Sequence, residues 1–350
     1  MTYATCRTVL LAMGVYSLAG AAAPGAGAES RPSIQANPPC DLTAAKPWIA
    51  QWLAAWDLTS GEILRLPPAP PPGLVFYDSS CVYTTSAVTA GASASAKAGE
   101  GPGLGGSGLT WRVGNHGDTL TLPNGRQVPV ALMSFADNDR KTGPFFVMAA
   151  PDYWVQAGHG KQPGLTAVFL HEFTHTRQLP GVAHIIGPID STWKFPWELD
   201  DDAVQKRFGS DSVYVKAYLE ERDLLYRAAA ADSLSETRAL AAQALEMIRD
   251  RHARWFTGED SVFATLDGLW LSMEGAAQWA GHAWLAHPKG GGLDPDAAVK
   301  TMLGRRRWWA QDEGLAVFLV VNRLMPEWPS LVFRNPSASA LELLEQATRP

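Results

Sequence analysis

The sequence is poor in cysteine and histidine, and it lacks a long basic run. Its 350 residues include 3 Cys and 8 His, and Asp plus Glu (35) outnumber Lys plus Arg (29). A formal net charge of -6 gives no support for nucleic-acid binding. No CxxC spacing occurs, which argues against a cysteine-ligated metal site. The hydrophobic content of 46% is sufficient for the packed core of a globular protein.

The first 28 residues have the pattern of a signal peptide. Arg7 supplies positive charge, residues 9–23 are apolar, and residues 26–28 form an A-x-A-like cleavage site before Glu29. The alternative is a membrane anchor, but the apolar stretch is short and ends at Pro24. We therefore expect cleavage and export to the periplasm or the medium, with no stable membrane span afterwards.

Signal removal also removes Cys6 and leaves Cys40 and Cys81. An even pair of cysteines in an exported chain predicts a disulfide, and two free thiols are the alternative.

Residues 29–160 are expected to form a β-rich part with one early helix. The helix spans residues 44–58, where three Trp residues at i, i+4 and i+8 indicate a stripe of core packing. Alternation around Asn124-Gly125 predicts a hairpin over residues 118–130, and residues 145–149 are a further apolar strand. Residues 86–108 are rich in Ala, Gly and Ser, and they predict a flexible loop.

Residues 161–350 are expected to be largely helical. Helix-forming composition and apolar spacing predict two helices within residues 211–256, broken near Asp232-Ser233. The further predicted helices cover residues 262–285, 294–303, 313–324 and 341–347.

One short motif carries the functional prediction. His171-Glu172-Phe173-Thr174-His175 is an HExxH pattern within residues 163–179, whose apolar spacing predicts a helix. Histidines four residues apart lie on one helical face, so both imidazoles can bind one metal ion. Glu172 would lie beside that ion and serve as general base toward a zinc-activated water. Two histidines and a glutamate on an ordinary amphipathic helix are the alternative interpretation.

Catalytic zinc usually has three protein ligands, so a further donor is expected. The HExxHxxGxxH extension is missing, because Pro180 and Gly181 follow the motif. Residues 270–279, WLSMEGAAQW, match a W-L-x-x-E-G-x-A-x-aromatic helix. With the HExxH motif, this segment resembles the gluzincins, the MA-like zincin metallopeptidases. The resemblance implies a zincin-like fold, with Glu274 as the third zinc ligand beside His171 and His175. Gly275 would let this helix approach the metal helix.

Other ligands and accessory groups stay open at this point. Glu313 lies in a second E-G-x-A-x-aromatic match over residues 313–318, and Glu220 or Glu221 lies nearer the motif. Candidates for stabilising an oxyanion are His282, Tyr214, Arg305 and Arg307, and candidates for orienting the imidazoles are Gln178 and Asp190. By the same resemblance, residues 145–149 are a candidate substrate-binding edge strand, and an ordinary buried strand is the alternative. The acidic residues 198–202 lack a calcium-loop pattern and indicate a loop or a helix cap.

The sequence thus predicts an α+β, zincin-like protein, with a β-rich N-terminal part before a helical part that carries the metal. The expected function is an exported zinc-dependent peptidase acting on a peptide or protein substrate, with no nucleic-acid partner. The alternatives are a zincin-fold binding protein without turnover and a zinc hydrolase of non-peptide amides. The sequence indicates neither the oligomeric state nor the substrate sequence.

Overall fold

The structure is a computed structural model that describes residues 40–87, 97–158, 161–197, 199–304, 306–334 and 339–349. The predicted signal peptide over residues 1–28 and part of the predicted flexible loop, residues 88–96, lie outside these ranges. Within the described ranges, no helix combines the length and the hydropathy that crossing a membrane requires.

Strands precede most of the helices, and the chain is a mixed α/β protein. The strands are β1 Gly73–Tyr77, β2 Cys81–Thr84, β3 Lys97–Gly101, β4 Leu109–Asn115, β5 Thr119–Thr121, β6 Gln127–Pro129, β7 Ser134–Asp139 and β8 Gly143–Ala149. Six of them form a sheet in the order β3-β4-β2-β1-β8-β7, in which β1 and β8 run parallel and the other neighbours antiparallel. β5 and β6 form the hairpin predicted around Asn124-Gly125.

Helices make up nearly all of the remaining regular structure. They are α1 Leu42–Leu58, α2 Pro151–Gln156, α3 Gly164–Thr192, α4 Ala203–Phe208, α5 Ser212–Ala230, α6 Leu234–Trp255, α7 Val262–Ala286, α8 Pro295–Leu303, α9 Trp309–Leu324, α10 Trp328–Val332 and α11 Ala340–Thr348. The predicted break near Asp232-Ser233 is confirmed, since α5 ends at Ala230 and Ser233 caps α6 through the backbone N–H of Glu236.

The tryptophan stripe of α1 packs in the core, as the spacing predicts. The Trp52 ring stacks on Phe169 with centroids 5.2 Å apart, and the Trp56 ring contacts Phe173 edge to face at 4.9 Å. Phe146 of β8 contacts the same two phenylalanines at 5.4 and 5.2 Å. These contacts hold one face of α3 against α1 and the sheet, so the opposite face is free to meet α7.

Helix α3 extends well beyond the pattern that predicted it. The apolar spacing covers residues 163–179, whereas the helix continues through Pro180 and Pro188 to Thr192. A proline inside a helix removes a backbone hydrogen bond. Val182 and Ile186 continue the buried face in this second half, and their packing offsets that loss.

The prediction of a flexible loop over residues 86–108 is wrong for residues 97–101, which form β3 and pair with β4. A small residue suits position 101 of this strand because Gly101 lies over the ring of Trp111. A Cβ atom placed on Gly101 would lie 2.6 Å from Cδ1 of Trp111. Pairing with β4 compensates for the weak intrinsic strand preference of glycine and alanine.

The expectation from the resemblance that residues 145–149 form an edge strand is also wrong, and the alternative of a buried strand is confirmed. These residues belong to β8, which pairs with β1 on one side and with β7 on the other. A run that is buried along its whole length is typical of such an internal strand. The edge beside α3 is β7.

The predicted cysteine pair forms a disulfide. Cys40, which precedes α1, is bonded to Cys81 at the start of β2, 41 residues further along the chain. The bond therefore ties the beginning of α1 to the central sheet.

Candidate metal centre

The HExxH residues lie in the middle of α3 on the face toward α7. His171, Glu172 and His175 are each only 1% exposed. Helix α3 packs against β7 and β8 on one side and against α7 on the other. The site is therefore formed between two long helices and is shielded from bulk solvent.

The two histidines meet as their spacing predicts. Nε2 of His171 lies 3.3 Å from Nε2 of His175, and the two rings are perpendicular. Burial is the main cause that lowers the pKa of His175 to about 4, and Glu274 opposes that effect. His175 is therefore neutral near pH 7, the form that binds a metal.

Glu274 reaches both histidines from α7. Its Oε2 atom lies 3.1 Å from Nε2 of His171, and its Oε1 atom lies 3.3 Å from Nε2 of His175. The side chain is 1% exposed, and neither carboxylate oxygen has a hydrogen-bond partner within the described residues. The two nitrogens and the carboxylate converge on one small volume.

This geometry suits a tetrahedral metal ion. Ligand atoms about 2.0 to 2.1 Å from a tetrahedral zinc ion lie about 3.3 Å from one another. The observed separations between donor atoms are 3.1, 3.3 and 3.3 Å. A bound cation would also satisfy the two carboxylate oxygens that have no hydrogen-bond partner. The donor set of two imidazoles and one carboxylate is therefore able to hold a divalent ion.

Glu172 lies next to these donors. Ligand atoms of His171, Glu172 and His175 fall within 4.8 Å of one another. Oε1 of Glu172 is buried and has no hydrogen-bond partner among the described residues. Burial raises the pKa of Glu172 well above its usual value, and the neighbouring carboxylates of Glu274 and Asp201 add to the shift. The position is compatible with a base that exchanges a proton with a bound reactant.

Comparisons with protein-family models, with curated proteins and with solved structures gave no match to this chain. The assignment of a function therefore rests on the two motifs and on the geometry of the site.

The rival ligands lie in a second buried cluster, which we name the Arg251 cluster: Arg251, Glu221, Asp267, Glu313 and Tyr214. The Arg251 guanidinium contacts Glu221 and lies 3.1 Å from Asp267 and 3.4 Å from Glu313. Glu313 and Glu221 are thus paired with arginine and are not paired with the histidines.

Glu220, the other rival, is on the surface. Its side chain is 55% exposed and lies 3.8 Å from Lys216, one turn earlier on α5. Within the described residues, Glu274 is the one of the four candidate glutamates that contacts both histidines.

Gly275 allows α7 to approach α9, whereas the prediction was an approach to the metal helix α3. A Cβ atom on Gly275 would lie 2.6 Å from the carbonyl oxygen of Gly314 on α9. The two E-G-x-A motifs therefore pack against each other through their glycines. Close approach of α7 to α3 occurs at Gly281, where a Cβ atom would lie 3.0 Å from the carbonyl oxygen of Ala167.

The structure assigns no oxyanion-stabilising group from the predicted set. Tyr214 belongs to the Arg251 cluster, and His282 lies two turns beyond Glu274 beside Pro295. The Arg307 guanidinium stacks on the Trp308 ring at 4.4 Å, and Arg305 lies outside the described residues. The oxyanion-stabilising role therefore stays a prediction that is assigned to none of these residues.

The two candidates for orienting the imidazoles have different positions. Oε1 of Gln178 lies 2.7 Å from Nδ1 of His175. Asp190 is 15 residues beyond His175 on the same helix, which places it about 22 Å away along the helix axis. Asp190 is therefore too distant for the role.

Two glutamines beside the site were missed from the sequence. Nε2 of Gln278 donates to Oε1 of Gln311 at 2.9 Å, and both side chains are buried. Gln278 lies one turn after Glu274, a helical spacing that could have indicated it. Gln311 comes from α9, and no local pattern connects it to the motif.

The acidic segment predicted as a loop or cap precedes α4. Asp202 occupies the N-cap position without a side-chain cap bond, Asp200 pairs with Lys206, and Glu198 lies outside the described residues. Asp201 is 9% exposed and lies near enough to Glu172 to raise its pKa.

Proposed function

We propose that this chain is an exported zinc-dependent peptidase with a zincin-like fold. The observation that carries the proposal is the convergence of His171, His175 and Glu274, with donor atoms 3.1 to 3.3 Å apart. These three residues would hold the ion. Zinc, when bound, would polarise a substrate carbonyl and lower the pKa of a water molecule.

Glu172 is the proposed general base. It follows His171 directly in α3, and its Oε1 atom has no partner within the described residues. The carboxylate is therefore free to accept the proton of the attacking water and to return it to the leaving amine. The buried surroundings exclude bulk water, which strengthens each electrostatic interaction inside the site.

The edge strand β7 supports a peptide as substrate. β7 pairs with β8 on one side, and no described strand pairs with its other side. Helix α3 packs against β7, so an extended peptide that added to this edge would run beside the helix that carries the HExxH motif.

Export is supported by the Cys40–Cys81 disulfide. Disulfides persist mainly in oxidising compartments such as the periplasm and the extracellular space.

The central experiment compares Glu172→Gln with wild type, using metal analysis and hydrolysis of an unstructured protein such as casein. We expect Glu172→Gln to retain stoichiometric zinc and to lose peptidase activity by 10²- to 10⁴-fold, the typical contribution of a general base. Glu220→Gln is the matched control, because that glutamate is exposed and paired with Lys216, and it should change neither quantity.

Two results contradict the proposal. Wild-type protein without stoichiometric zinc after zinc-supplemented purification would exclude the metal centre. Unchanged hydrolysis in Glu172→Gln would exclude the base. Zinc binding without any peptidase activity would instead favour a binding protein or a hydrolase of non-peptide amides.

A further inference from the structure

Gln178 connects the two helices that form the candidate metal centre. It lies three residues after His175 on α3, and it is 4% exposed. Its Oε1 atom is 2.7 Å from Nδ1 of His175, and its Nε2 atom donates to the backbone oxygen of Met273 at 3.1 Å. Met273 immediately precedes Glu274 on α7. One buried amide therefore contacts a histidine of the site and the backbone beside its glutamate.

The orientation of the amide follows from its partners. The Met273 oxygen can only accept a hydrogen bond, so the amide nitrogen of Gln178 must face it. The amide oxygen then faces His175, and this oxygen too can only accept. Nδ1 of His175 must therefore carry the hydrogen, which leaves the lone pair of the neutral ring on Nε2. Nε2 is the atom that lies 3.3 Å from both His171 and Glu274.

The other histidine has no such partner. Nδ1 of His171 is buried and makes no hydrogen bond within the described residues. The tautomer of His175 is thus set by a neighbour, whereas that of His171 is not set by any described neighbour. An amide also adds no charge to a site that already holds the carboxylates of Glu172 and Glu274.

We propose that Gln178 is a positioning residue that fixes the tautomer of His175 and holds α3 and α7 at the spacing that metal binding requires. The proposal rests on the proposed zinc site for its effect on metal affinity. Its structural part, the hydrogen bond from Nδ1–H to Gln178, concerns the metal-free protein and can be measured separately.

The test uses three variants of the full mature chain. Gln178→Met keeps the length of the side chain and removes both hydrogen bonds. Gln178→Glu restores an acceptor for Nδ1–H of His175 and lacks the donor to Met273. Thr166→Val is the matched control, since Thr166 is a fully buried residue on the same helix, outside the HExxH motif, whose Oγ1 donates to Oε1 of Gln162 at 2.6 Å.

Two measurements follow. Long-range ¹H–¹⁵N spectra of the metal-free proteins, assigned with a His175→Ala reference, report the imidazole tautomer. Competition with a chelator reports the affinity for Zn²⁺ alone. We expect the Nδ1–H tautomer of His175 in wild type, its loss in Gln178→Met, and its return in Gln178→Glu. Zinc affinity should fall by about 10- to 100-fold in Gln178→Met, recover at least in part in Gln178→Glu, and stay at the wild-type value in Thr166→Val.

An Nε2–H tautomer of His175 in wild type would overturn the proposal, as would a Gln178→Met variant that is folded and binds Zn²⁺ within twofold of wild type. If wild type shows the Nδ1–H tautomer but binds no Zn²⁺, the hydrogen bond is real and the role in metal binding is refuted together with the proposed function. If Gln178→Met does not fold, the wild-type and Gln178→Glu spectra and affinities still decide between these outcomes.

Discussion

Glu221, a rival for the metal, is expected to make the protein less stable as the pH rises toward and above 7. Its side chain is fully buried in the Arg251 cluster, where it faces Arg251 of α6, Asp267 of α7, Glu313 of α9 and Tyr214 of α5. Burial, the largest cause, raises the pKa of Glu221 to about 7, although Arg251 opposes the shift. Replacing this residue by glutamine keeps its shape and removes its titration.

Stability falls with rising pH because the pKa of Glu221 is raised in the folded state. The folded state holds the Glu221 proton more tightly than the unfolded chain, in which glutamate has its ordinary pKa of 4.5. The resulting stabilisation is fully present below pH 4.5 and is lost as the pH rises through 7. With these two pKa values, it amounts to roughly 2 to 3 kcal/mol at pH 5 and is almost absent at pH 8. The free energy of unfolding of Glu221→Gln, relative to wild type, should therefore rise by about 2 to 3 kcal/mol between pH 5 and pH 8.

Urea unfolding followed by tryptophan fluorescence at the two pH values gives this difference, with the disulfide intact. The variant also loses the pairing with Arg251, and this loss affects its free energy of unfolding at high pH as well. Glu220→Gln is an exposed control on the same helix, and its free energy of unfolding should show no comparable change. A difference that stays constant within about 0.5 kcal/mol, or that falls with rising pH, would refute the assignment of a raised pKa to Glu221.

Two further predictions concern the E-G-x-A helices. Glu274→Ala should lose stoichiometric zinc. Glu313→Ala should retain zinc and lose stability, because the Glu313 carboxylate contacts Arg251 and not the histidines. Metal analysis and urea unfolding separate the two effects. Gly275→Ala should lower the free energy of unfolding by about 1 to 3 kcal/mol, since the added Cβ atom would lie 2.6 Å from the backbone of Gly314. An unchanged free energy of unfolding would exclude the close approach of α7 and α9.

Local features of the site could be predicted from the sequence. The distance between His171 and His175 follows from helical periodicity alone, and the flanking apolar residues indicate which face is buried. Helix boundaries with strong sequence signals, such as the break at Asp232-Ser233, could also be predicted, because those signals lie in the neighbouring residues. Such features need no knowledge of what the helix packs against.

Features that depend on partners distant in sequence could not be predicted in this way. β3 is a strand because β4 pairs with it and places Trp111 beside Gly101, although its own composition indicates a loop. β8 is internal because β1, more than 65 residues earlier in the chain, pairs with it in parallel. Neither partner is visible in the composition of the segment itself, so the composition of residues 97–101 predicted a loop, and that of residues 145–149 predicted a strand without its position in the sheet.

The choice between the two E-G-x-A motifs shows where the sequence signal ends and packing decides. Both motifs place a glutamate before a glycine, and Gly275 and Gly314 bring the two helices into contact with each other. Two helices that cross at their glycines direct the preceding glutamates to different neighbours. Glu274 faces α3 and its histidines, and Glu313 faces Arg251 on α6. A buried carboxylate needs a cationic partner, and Arg251 already supplies one to Glu313. Glu274 contacts two histidines instead, which is the arrangement that a metal ion would complete.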